Sequence, residues 1–115
     1  MASSIDIPAL IADMKDAATQ VLNHDVTTLR GFSERQLKAI AKQAELVSAG
    51  IADGGITDET RDFFLDSIED MVMNFVRTLR GLVMVTIEKV WNAVVAVIWK
   101  AIEAVTGLSL PIPNR

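Results

Sequence analysis

Few residues of this chain could do chemistry. They are one histidine, His24, and a group of carboxylates, Asp62, Asp66, Glu69 and Asp70. The carboxylates recur at i, i+4 spacings, which places them on one side of a helix. Helical carboxylates hold metal pairs in bundles when Glu-x-x-His pairs complete the ligand set. No such pair is present, so the group reads as a solvated acidic face, with weak divalent-ion binding as the lesser reading. His24 has Asp25 as its sequence neighbour, and adjacent side chains on a helix point apart. None of the serines (3, 4, 33, 48, 67 and 109) sits in a nucleophile-elbow context. The segment Ala52-Asp53-Gly54-Gly55-Ile56-Thr57-Asp58-Glu59 lacks the alternating oxygen ligands and the closing glutamate of a calcium loop. Gly54-Gly55 has no Lys-Ser/Thr partner and follows no strand, so it is no phosphate loop. It reads as a turn followed by a helix cap. No catalytic residue, cofactor, metal site or small-molecule substrate is indicated, and the chain reads as non-enzymatic.

The absence of cysteine removes disulfide frameworks, thiolate metal sites and cysteine nucleophiles. With 115 residues and a net charge of −4, the chain fits a single helical domain, 1–115. Residues 1–81 carry 8 basic and 13 acidic side chains, residues 82–115 carry 3 and 2. No clustered basic face is visible, so nucleic acid is not an expected partner. The start, Met1-Ala-Ser-Ser-Ile-Asp-Ile-Pro, has neither a basic region nor a long apolar run, so no signal peptide is read. The expected location is cytoplasmic or membrane-associated.

These residues are positioned by helices. Strand alternation and hairpin turns are missing, and long stretches of helix formers lie between glycines and prolines. The expected class is all-α, with antiparallel helical hairpins in a four-helix arrangement. Helix 1 is expected over about 7–30, with Pro8 in its first turn and Gly31 just beyond its end. Asn23-His24-Asp25 weakens its pattern enough for a break. Helix 2 is expected over 34–49. Ser33 and Gln36 suggest a capping box, Phe32 and Leu37 a staple, and Gly50-Ile51 a left-handed ending. Helix 3 is expected over 58–80, capped by Thr57 and with Asp58 and Glu59 in its first turn. Helix 4 is expected over 82–106, with an extended tail, 107–115. Thr28-Leu29-Arg30-Gly31 recurs as Thr78-Leu79-Arg80-Gly81, which suggests two similar hairpins. Gly81 leaves two readings open: a break between helices 3 and 4, or one long helix kinked there.

Leu82–Thr106 is the most informative segment. All its polar residues except Thr86 fall within a wedge of roughly 120° at about 100° per residue. The remaining perimeter is apolar. Its interaction face is assigned to Val83, Ile87, Val90, Trp91, Val94, Val95, Ile98, Trp99, Ile102 and Val105. Trp91-Asn92-Ala93 lacks the glycine of a Trp-x-Gly turn and lies inside this helix. Trp91 and Trp99 therefore read as packed apolar groups, or as anchors at a membrane surface. The leading expectation is a structural or interaction protein, a homo-oligomer assembled through this helix. The alternative is peripheral attachment to a lipid or membrane surface, including insertion as an oligomer. The tail residues Leu108, Leu110 and Ile112 could strap across a neighbouring surface or fray.

Overall fold

A computed structural model describes residues 4–115, and Met1–Ser3 lie outside the described residues. The chain is all-α, with α1 Ile7–Leu22, α2 Glu34–Asp53, α3 Asp58–Thr78 and α4 Met84–Thr106, each antiparallel to the next. A 3₁₀ turn, Val26–Thr28, follows α1. The body measures 42 × 25 × 20 Å.

Asp6 caps α1, its carboxylate accepting from the Ala9 N–H at 3.1 Å. The helix expected over 7–30 ends at Leu22, at the break that Asn23-His24-Asp25 allowed. Asn23 turns left-handed there, with φ 54°, and asparagine tolerates that region because its short polar side chain bonds locally. Asp25 then accepts from the Thr27 N–H and hydroxyl and starts the 3₁₀ turn. The turn carries Val26 into the core with no solvent exposure.

Ser33 caps α2 by accepting from the Gln36 N–H at 3.2 Å. The Gln36 side chain does not return to Ser33. It accepts from the Thr78 hydroxyl at 3.2 Å and ties α2 to the end of α3. Phe32 packs edge-on against Phe75, with ring centroids 6.0 Å apart. The expected ending at Gly50 is displaced to Gly54. Gly50 is helical, and a Cβ there would lie 2.7 Å from Ile56 Cδ1. The glycine admits the Ile56 side chain; it does not end the helix.

Thr57 starts α3 with its N–H donating to Thr60 Oγ1 at 3.0 Å. Gly81 breaks the chain between α3 and α4, which rules out one long kinked helix. Its φ is 84°, a left-handed conformation incompatible with a continuing helix.

α4 packs most extensively on α1, then on α2, then on α3. Val90, Trp91, Val94, Val95, Ile98, Trp99 and Ile102 are all at most 1% exposed. They meet Met14, Ala18, Leu37, Ile40, Ile68, Val72 and Phe75 in one core. Each fully buried aliphatic contributes about 1.5–3 kcal/mol, so α4 carries much of the stability. The tail folds back along α4. The Leu110 N–H donates to Glu103 Oε2 at 2.6 Å, and Leu110 is buried. Farther on, the Arg115 N–H donates to Asn92 Oδ1 at 2.7 Å and Asn92 Nδ2 donates to the Arg115 carbonyl at 3.2 Å. The Arg115 guanidinium lies 4.5 Å from the Trp91 ring centre.

Candidate docking surface

The assigned interaction face does not remain free. Val90, Trp91, Val94, Val95, Ile98, Trp99 and Ile102 are sealed inside their own bundle, Val105 is 8% exposed, and Ile87 is half-buried. Of the ten residues only Val83 stands in solvent, at 68% exposure. The perimeter is covered because α1, α2 and α3 all contact α4, while the tail bonds two members of its polar wedge, Asn92 and Glu103. The Trp91 indole N–H is also satisfied internally, donating to the Glu69 carbonyl at 3.1 Å.

Asp62, Asp66 and Glu69 line one open cleft together with Arg61. Asp62, Asp66 and Asp70 are exposed and Glu69 is half-buried. Among the described residues no three metal-ligating side chains converge. Burial, reinforced by Asp66 and Asp70, pushes the Glu69 carboxyl above its ordinary value, with Arg115 opposing. His24 Nε2 lies 3.0 Å from the Thr28 hydroxyl. Asp25 is held below the usual carboxylate range by the Thr27 hydroxyl and N–H. The Asp53 carboxylate accepts from the Gly55 N–H at 2.8 Å and organises the turn.

One exposed apolar segment lies at the end where α1 meets α2 and α3 meets α4. The repeated tetrapeptides form matching turns there. Leu29 and Leu79 are both extended, with φ/ψ of −74°/142° and −70°/127°. Gly31 and Gly81 are both left-handed, with φ of 87° and 84°. The two turns touch through their backbones: the Arg80 N–H donates to the Arg30 carbonyl at 2.9 Å. A Cβ on Gly31 would lie 1.8 Å from the Thr78 carbonyl oxygen. The turns therefore hold Arg30 and Arg80 side by side, and both line an open cleft of about 430 Å³ with Gly31.

Beyond Gly81 the chain exposes three consecutive large apolar residues, Val83 at 68%, Met84 at 58% and Val85 at 61%. No side chain caps the start of α4, so its first-turn N–H groups and the positive end of its dipole face outward. Residues 23–36 and 77–89, which form this end, carry five basic and three acidic side chains, against six and twelve in the rest of the chain. The sequence shows that Leu82-Val83-Met84-Val85 offers no cap, but not that Arg30 and Arg80 come together at this end. Arg30 and Arg80 lie fifty positions apart, and only the pairing of the turns joins them.

No family model matches the chain, and no curated protein or solved structure is detectably similar to it.

Proposed function

We propose that the chain is a non-enzymatic docking module that attaches peripherally to an anionic lipid surface through the paired-turn end. The observation that carries this reading is the exposed Val83-Met84-Val85 segment, flanked by arginines that make no ion pair among the described residues. Burying such side chains in an interface is worth about 1–2 kcal/mol each. Each arginine near an anionic membrane adds about 1 kcal/mol. The uncapped N–H groups of α4 need oxygen partners, which favours headgroup depth over the hydrocarbon interior. Among the described residues no helix is long and apolar enough to cross a membrane. Co-sedimentation with vesicles containing phosphatidylserine tests the reading. The native chain should bind and a Val83→Ser/Met84→Ser/Val85→Ser variant should not. Equal sedimentation of the two would overturn it.

Self-association is the second reading, now on a different surface. Leu46 on α2 is 65% exposed and Phe63 on α3 is 73% exposed. Two tip-to-tip copies would oppose their arginines, which disfavours pairing through the docking end. Pairing through the α2 and α3 outer faces would bury Leu46 and Phe63 and bring Lys42 of one copy toward the acidic α3 of the other. Light scattering would show a dimer that Phe63→Ser dissolves; a monomer at high concentration would dismiss this reading.

A further inference from the structure

The paired turns do more than carry charge to one end of the molecule. Arg30 and Arg80 line one cleft, and two cationic side chains that share a cleft favour an anion between them. Among the described residues, ion pairs join Lys15 to Glu34 and Arg61 to Asp58, and neither Arg30 nor Arg80 has one. The backbone that presents them is fixed on both sides. The Arg80 N–H to Arg30 carbonyl bond joins the turns, and Gly31 lies against the Thr78 carbonyl with no room for a side chain. The Arg80 Cγ lies 3.6 Å from the position a Gly31 Cβ would take, so its stem runs along the first turn.

We infer that the cleft between Arg30 and Arg80 is a phosphate site, and that its ligand is the phosphate of an anionic lipid headgroup. This rests on the reading of this end as the membrane-facing one. Arginine suits the role because its planar fork meets phosphate oxygens with two parallel N–H bonds. Arg80 lies three residues before Val83, so a headgroup seated in the cleft is held at the same end of the molecule as the exposed Val83, Met84 and Val85. An accessible phosphomonoester fits two arginines better than a phosphodiester hidden behind serine or choline.

The test uses vesicles of matched surface charge containing either phosphatidic acid or phosphatidylserine, and inorganic phosphate alone followed by amide NMR. The native chain should prefer phosphatidic acid by about tenfold. Inorganic phosphate should shift the Gly31 and Gly81 amides saturably. The Arg30→Gln/Arg80→Gln variant should lose both effects while keeping its circular dichroism. Arg35→Gln/Lys89→Gln removes the same charge from the same end outside the cleft and should keep the preference. Vesicle binding without any phosphatidic acid preference would overturn the cleft and leave the docking reading standing. Failure to bind any vesicle, with the phosphate shifts intact, would overturn the docking reading and keep the cleft as a site for free phosphate. Loss of preference in the Arg35→Gln/Lys89→Gln control would show general charge attraction and overturn the site.

Discussion

The two Thr-Leu-Arg-Gly turns share a backbone conformation and differ in the residues that come next. After Gly31 come Phe32, which packs edge-on against Phe75, and Ser33, which caps α2. After Gly81 come Leu82 and Val83, with no cap and three exposed aliphatic residues. The first turn closes a hairpin and packs the half-buried Phe32 against Phe75. The second closes a hairpin, packs the half-buried Leu82 on the core and then presents Val83, Met84 and Val85. Equal local geometry thus yields one structural turn and one free surface, and the difference lies in the two or three residues beyond each glycine.

The contrast can be broken most violently from the core side. Val94 has no solvent exposure, and Val94→Asp would bury an uncompensated charge costing about 5 kcal/mol. That rivals the whole stability of many domains. Thermal denaturation should find the variant unfolded or close to it, not merely deficient in partner binding. A folded variant with native melting would show that α4 is misplaced in the bundle.

The two glycines separate next. Gly31→Ala combines a left-handed φ with a Cβ driven into the Thr78 carbonyl, so the turns must part. Gly81→Ala meets nothing within 4 Å and suffers only its φ of 84°. Denaturant titration should give a loss of about 3 kcal/mol or more for the first and about 1–2 kcal/mol for the second. Equal losses would mean that the turns do not touch.

Ser33→Ala should cost about 1 kcal/mol as a lost helix cap. Introducing a cap at the matching site, Val83→Ser, should stabilise α4 slightly while weakening vesicle binding. Those opposite signs would show that the second turn trades stability for surface.

Glu69 gives the smallest effect. Its folded-state pKa is raised, chiefly by burial, so the folded state binds the proton more tightly than the unfolded chain. Its contribution is present below the unfolded carboxylate pKa and is lost as pH rises through the raised value. Glu69→Gln should remove that part of the pH dependence and leave the chain marginally more stable at neutral pH. A steeper pH dependence in the variant would contradict the assignment.

Much of the fold was legible because local chemistry and tertiary packing agreed. Ser33, Thr57 and Gly107 mark helix limits that the structure keeps. The break that Asn23-His24-Asp25 allowed is present, whereas Gly50 misled. Asn23 took a left-handed position usually given to glycine. Gly50 served a contact with Ile56, which lies across the α2–α3 turn and cannot be seen from periodicity within α2. The apolar face of α4 was read correctly in its buried residues, Val90 through Ile102, but assigned to an external partner. A helical wheel shows how wide an apolar surface is. It does not show that the tail bonds Asn92 and Glu103 while three helices share the rest. The pairing of Arg30 with Arg80 was the least legible part, since it needs two turns from opposite halves of the sequence.

The absence of cysteine allows the most direct measurement. Met84→Cys and Phe63→Cys, each carrying one polarity-sensitive dye, report the paired-turn end and the α3 outer face separately. On adding phosphatidic acid vesicles, the dye at 84 should brighten and shift to the blue while the dye at 63 stays unchanged. A response at 63 with none at 84 would contradict the account.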